Sequence, residues 1–318
     1  MPTDPAEIDL LILLGSLAAG CLGGLVGLGG GIVLVPMLTL VFGVDMKTAM
    51  GASLVAVIGT STGAAALRGS SRLSNQRVGI ALELAATLGA IAGAAAMTFI
   101  DPAILLIVFG GALLLTAALS VGRKSEPDPA TLAPNPLAQR LALDAPLPDS
   151  AGGTCSEAAA VYHVQRPAAG FATMLFAGVL SGLLGIGSGV LKMLAMDTFM
   201  KIPFRVSTTT SNFMVGITAA ASVGIYWNHG IIDPKVAGPA LLGIVPGALL
   251  GSWLVTFMPI GPLRKLFLVV LVAIAAQMLV KGVRELQHAN PTIRTSAPAT
   301  EMPPTTSPSQ EPIGDGSR

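Results

Sequence analysis

Gly27-Leu28-Gly29-Gly30-Gly31 returns 158 residues later as Gly185-Ile186-Gly187-Ser188-Gly189, and both copies interrupt long apolar stretches. Glycine clusters uncover backbone N–H groups, and uncovered backbone is costly in hydrocarbon unless something takes it up. Two such sites at a fixed offset predict a duplicated transmembrane core with a site where broken helices meet.

The apolar stretches are too long and too poor in charge for a soluble fold. The chain of 318 residues is 52% hydrophobic and only 11% charged, against roughly 25% charged in an ordinary soluble domain. Apolar segments lie near 10–27, 31–43, 48–67, 78–99 and 102–121, then near 169–186, 190–200, 206–227, 236–258 and 264–281. This predicts an all-α, polytopic transmembrane helix bundle in the lipid bilayer. The expected organisation is a first repeat (10–121), a polar Pro-rich cytoplasmic loop (122–168), a second repeat (169–282) and a disordered tail (283–318). Asp4, Glu7 and Asp9 precede the first segment without any Lys or Arg, so it reads as a retained helix and not a secretory signal.

The repeat extends beyond the glycine clusters. At the same offset Gly20 meets Gly178, Gly24 meets Gly182, Lys47 meets Arg205, Ser53 meets Ser211, Thr60 meets Thr218, and Gly89 and Gly93 meet Gly247 and Gly251. Five segments per half is an odd number, so the second half is expected to be inverted relative to the first. Basic residues favour this arrangement. With the N-terminus outside, eleven Lys and Arg fall in inner loops and four near the outer face. Both termini are then expected on the outer face of the cell (inner) membrane. A four-plus-four arrangement remains open, with 31–43 and 190–200 re-entrant.

Segments 31–43 and 190–200 are shorter than the roughly 30 Å hydrocarbon core requires. Each glycine turn should therefore dip into the membrane and present a helix N-terminus, a favourable place for an anion. Candidate binding groups are Gly27, Gly29, Gly30, Gly31, Gly185, Gly187, Ser188 and Gly189 in the turns. Ser53, Thr60, Ser211, Asn212 and Thr218 on the following helices would supply further hydrogen bonds. The competing reading of the spaced glycines, Gly89/Gly93 and Gly247/Gly251 above all, is close helix packing. Lys192 lies three residues beyond the second cluster; it either balances an anion or snorkels to the interface. Its counterpart is Leu34. Glu83 either carries a coupling proton or, the favoured reading, pairs with Arg77 or Arg72. Asp197 is expected to pair with Lys201 four residues on.

Other chemistry finds no support. His163, His229 and His288 fall in loops or the tail, and Cys21 and Cys155 are unlike in setting, so no enzyme, metal or cofactor is expected. Few aromatics and no basic stripe argue against nucleic acid.

The run Gly24-Leu25-Val26-Gly27-Leu28-Gly29-Gly30-Gly31-Ile32-Val33-Leu34-Val35-Pro36 resembles the first-half signature of the TauE/SafE sulfite exporter family. Gly178, Gly182, Gly185, Gly187 and Gly189 resemble its second-half copy, and Lys47-Thr48-Ala49-Met50-Gly51-Ala52-Ser53 is similar to the family's polar helix. Ser188 stands where a glycine is common, and Leu194 where a proline is expected opposite Pro36. The resemblance implies an inner-membrane transporter of sulfite, sulfonates or related organic anions, many such proteins being exporters. The expectation is a secondary transporter working by alternating access on a small anionic substrate, with a coupling proton as a candidate partner. The alternatives are an anion channel or a membrane assembly subunit that transports nothing.

Overall fold

The structure is a computed structural model and describes residues 5–26, 30–68, 76–121, 135–141, 143–146, 161–187, 189–254 and 260–289. The first half runs through α1 (Pro5–Val26), α2 (Gly31–Pro36), α3 (Met46–Arg68), α4 (Gln76–Phe99) and α5 (Pro102–Val121). A central segment holds α6 (Pro136–Arg140) and the two-residue strands β1 (Ala145–Pro146) and β2 (Val161–Tyr162), paired antiparallel. The second half runs through α7 (Pro167–Leu184), α8 (Gly189–Leu194), α9 (Phe204–Asn228), α10 (Pro234–Leu254) and α11 (Ile260–Ala289). The all-α transmembrane bundle expected from the apolar segments is the fold observed.

Both short helices end the same way. α2 relaxes into a π-turn at Met37–Val41 and α8 into one at Ala195–Phe199. The closing bonds match residue for residue at the 158-residue offset. Phe42 N–H donates to Met37 O and Val44 N–H to Leu38 O. In the second half Met200 N–H donates to Ala195 O and Ile202 N–H to Met196 O. Pro36 removes one backbone donor from α2, but α8 has Leu194 there and makes the same shape. The wide turn therefore belongs to the repeat and does not depend on proline.

Two of the seams between the halves bring backbone against backbone through glycine. A Cβ on Gly20 would overlap the carbonyl oxygen of Ile244, and one on Gly24 that of Ala248. Added at Gly243 and Gly247 it would strike the carbonyls of Leu13 and Leu17. Residue numbers rise together along this seam, so α1 and α10 run parallel. The other seam joins α4 to α7: Gly89 and Gly93 abut Leu175 and Val179, while Gly178 and Gly182 abut Ala86 and Ala90. It is also parallel, and α1 exchanges with α7 and α10 with α4 under the offset. Absent side chains let the backbones touch, which is how helices gain dispersion energy where lipid offers no hydrophobic drive.

The remaining pairs fix the directions of the other helices. Gly216 of α9 faces Ser61 of α3, while Gly51 of α3 faces Ile231, just past the end of α9, so these two helices are antiparallel. So are α5 and α11, where Gly110 meets Ala275 and Gly282 meets Ala103.

Among the described residues, four stretches are long and apolar enough to cross a membrane: Glu7–Gly24, Arg77–Phe99, Pro167–Leu184 and Pro234–Leu254. They belong to α1, α4, α7 and α10, the helices of the two glycine seams. Exposed Ile80, Leu84, Leu88 and Ile91 form a stripe down α4. Such a face is stable against acyl chains and not against water.

The described parts of the central segment dock on the bundle. Tyr162, Leu143, Val164 and Ala138 are buried with Leu82, Met174, Met196 and Met214 from α4, α7, α9 and the π-turn after α8. Asp144 pins this cap by accepting the Val164 N–H at 2.9 Å and lying 3.0 Å from His163 Nδ1. Gln165 N–H donates to Met200 O at 3.0 Å.

Candidate functional site

The two glycine turns meet in the interior. A Cβ placed on Gly31 would come 3.3 Å from the carbonyl oxygen of Ile186 and would press on Val57 and Ser53. Gly187 sits against the same Val57 and against Val215, its counterpart at the 158-residue offset. Gly30 (φ 71°) and Gly187 (φ 70°) occupy the left-handed region that side chains avoid. Gly185 (φ 66°) ends α7, its N–H donating to Ser181 O at 2.9 Å. Gly27, Gly29 and Ser188 lie outside the described residues.

Serines tie each turn to the helix that follows. Ser53 Oγ donates to the Gly31 carbonyl at 3.4 Å, and Ser211 Oγ to the Gly189 carbonyl at 2.9 Å. Both serines are buried. The matched serines thus lie at the turns, with their hydroxyl hydrogens committed to backbone. Thr60, also buried, donates to the Val57 carbonyl of its own helix at 3.1 Å. Asn212 is half-buried, and its backbone carbonyl accepts from Ser61 Oγ at 3.1 Å, joining α3 to α9.

Lys192 is where the halves part company. Its side chain is fully buried, so it does not snorkel. The ammonium donates to Glu83 Oε2 at 3.1 Å, to the Met214 carbonyl at 3.2 Å and to Thr218 Oγ1. Thr218 in turn contacts Glu83 Oε1, and Thr87 donates to the same oxygen at 3.3 Å. Glu83 therefore pairs with Lys192 and not with an arginine: Arg77 is exposed, and Arg72 lies outside the described residues. Arg77 is six residues from Glu83, on another face of α4, whereas residues three or four apart face together. Asp197 sits in the π-turn after α8, and Lys201 is exposed beyond it.

Gly189 opens α8 and Lys192 is its fourth residue, so the Lys192 Cα lies about 4.5 Å further along the axis. Taking two charges out of water is expensive unless they are paired and hydrogen-bonded, and here every ammonium hydrogen has an acceptor. The equivalent positions in the other half are Leu34, Leu241 and Thr60. One of two related positions is ionic and the other apolar.

Two further contributors carried no signal in the sequence. The Met214 carbonyl is backbone. Tyr226, fully buried on α9, donates from its hydroxyl to the Gly182 carbonyl at 2.8 Å, at the end of α7 where the glycine turn begins. Its counterpart is Arg68, so the offset does not flag it.

Comparison with known proteins agrees with this architecture. A family model described as sulfite exporter TauE/SafE matches residues 12–278. The probable membrane transporter protein YunE of Bacillus subtilis (strain 168) is 27% identical over 285 residues, covering 86% of this chain and 98% of that protein. The probable membrane transporter protein YdhB of the same organism is 26% identical over 257 residues, covering 79% and 91%. No solved structure matches.

Proposed function

The chain belongs to the sulfite exporter TauE/SafE family, a family of membrane transporters, and on that premise we propose that it is a secondary transporter of small anions such as sulfite or sulfonates. The observation that carries the anion reading is Lys192, a fully buried ammonium carried by the short helix that opens at the second glycine turn. A cation there, beside backbone groups released by broken helices, suits an oxyanion. Gly30, Gly31, Gly185, Gly187 and Gly189 shape the site, Ser53 and Ser211 hold the turns in place, and Thr60, Asn212 and Thr218 line the neighbouring helices.

The halves are inverted repeats in this reading. The antiparallel approach of α3 to α9 and of α5 to α11 supports it: helices exchanged by a two-fold axis run antiparallel when that axis lies in the membrane plane. The parallel α1–α10 and α4–α7 seams fit the same operation. A site on such an axis, rocked between two faces, gives alternating access. Both termini then lie on the outer side. An outward-facing reporter fused beyond α11 is expected to be active; a silent one rules out the five-plus-five arrangement.

The deciding experiment is flux in proteoliposomes containing the full chain, with sulfite, sulfate, sulfoacetate, taurine and acetate tested in turn. Saturable flux that trans anion accelerates is expected for sulfite or a sulfonate. Unsaturable flux indicates a channel, and no flux of any of them removes the proposal.

A further inference from the structure

We infer that the Glu83 carboxylate is an internal stand-in for the transported anion, so that anion binding at Lys192 requires Glu83 to release the ammonium and take up a proton. This rests on the anion reading above and assigns how that site is gated.

A lysine ammonium has three hydrogens. Those of Lys192 go to Glu83 Oε2, the Met214 carbonyl and Thr218 Oγ1. None is left for a ligand. Met214 O is backbone of α9, and Thr218 is held on the same helix, its hydroxyl 3.0 Å from that carbonyl. Glu83 alone comes from a different helix, α4, and alone carries negative charge, so it is the group that an arriving anion displaces.

Displacement leaves a buried carboxylate with, among the described residues, the hydroxyls of Thr87 and Thr218 beside it. An unpaired buried charge is strongly disfavoured and neutralises instead. Among the described residues, the groups facing Glu83 include no second cation to take over. α8 presents Lys192 and α9 presents Thr218. α7 has no ionisable residue along its length, and Arg77 on α4 is exposed. One proton and one monovalent anion enter from water. The Lys192 Nζ–H contact to Glu83 Oε2 breaks, and an Nζ–H contact to the anion forms. The proton rests on the Glu83 carboxyl. The cluster is neutral before and after.

The apolar counterpart supports this assignment. Where the repeat has no Lys192 it also has no Glu83: Leu34 and Leu241 stand at the matching positions. The carboxylate and the ammonium occur together or not at all, as expected of a site kept neutral while empty.

The test uses the purified full-length protein in detergent, lightly buffered with an indicator dye. The probes are sulfite and methanesulfonate. The second stays ionised throughout the neutral range, so protons taken up with it belong to the protein. The expected result is about one proton per anion bound, and a Kd that weakens by up to about tenfold per pH unit. Glu83→Gln is expected to take up no proton, to show a flat pH profile, and to bind several-fold more tightly because the internal competitor has lost its charge. A purely structural pair predicts weaker binding in that variant. Binding without proton uptake, or a Glu83→Gln protein that still takes up a proton, overturns the inference and leaves the anion site standing. Binding of neither probe by the wild type overturns both. Should Glu83→Gln fail to fold, the wild-type proton count decides alone.

Discussion

Thr60 and Thr218 stand at the same place in the two halves and hold different partners. Thr60 donates to the carbonyl of Val57, three residues back on its own helix. Thr218 bridges Lys192 and Glu83 from two other helices. A shared position has kept its residue type while its role diverged, and that divergence can be measured.

Thr218→Val removes a hydroxyl from between two buried charges. Leaving such groups short of a partner costs about 1–3 kcal/mol, so a loss in that range is expected by thermal unfolding in detergent. Thr60→Val is expected to lose less, because its hydroxyl turns back to its own helix. Equal losses would place the two residues in equivalent roles.

The ion pair itself gives a double-mutant prediction. Lys192→Leu alone strands Glu83 and should cost about 3–5 kcal/mol. Adding Glu83→Leu recreates the pairing of Leu34 with Leu241 and should recover most of that loss. The double variant is expected to fold, reach the membrane and carry no anion. Chemical unfolding and proteoliposome flux on the same preparation separate stability from transport.

The glycine seams should reject even a methyl group. In Gly182→Ala the new Cβ meets the Ala90 backbone carbonyl, which cannot move aside as a side-chain end can. Overpacking of this kind costs about 1–3 kcal/mol. Gly111→Ala is the control. It lies mid-helix in α5 with nothing within 4 Å of the added carbon, and should gain up to about 1 kcal/mol from the stiffer unfolded chain.

The serine ties should differ in strength. Ser211→Ala loses a 2.9 Å bond to the Gly189 carbonyl, worth about 1 kcal/mol. Ser53→Ala loses a 3.4 Å contact to Gly31 and should cost less. With the turn loosened, KM for the transported anion should rise more than kcat falls.

Much of this was legible in the sequence because it rests on local pattern. Apolar run length gave the helices, the 158-residue offset gave the matched turns, and glycines four apart marked the seams. The spaced glycines Gly89 and Gly247 proved to be packing residues, as their spacing suggested. What escaped depends on how distant helices abut. Lys192 and Glu83 are 109 positions apart, and each alone offers a nearer partner or an interface to reach for. The docking of Tyr162 and Leu143 was hidden because a Pro-rich polar stretch advertises a connection, while a few spaced apolar residues suffice to anchor it.

The seams also set a timetable for assembly. The α1 helix is made well before its partner: Gly243, which packs beside Leu13, comes about 230 residues later. At synthesis rates of roughly 5–20 residues per second that is a wait of about 10–45 s. Through that interval the glycine face of α1 is without the α10 backbone it packs against in the finished fold. The two halves are therefore not successive modules: the first is completed only when α7 and α10 of the second have been made and packed against α4 and α1.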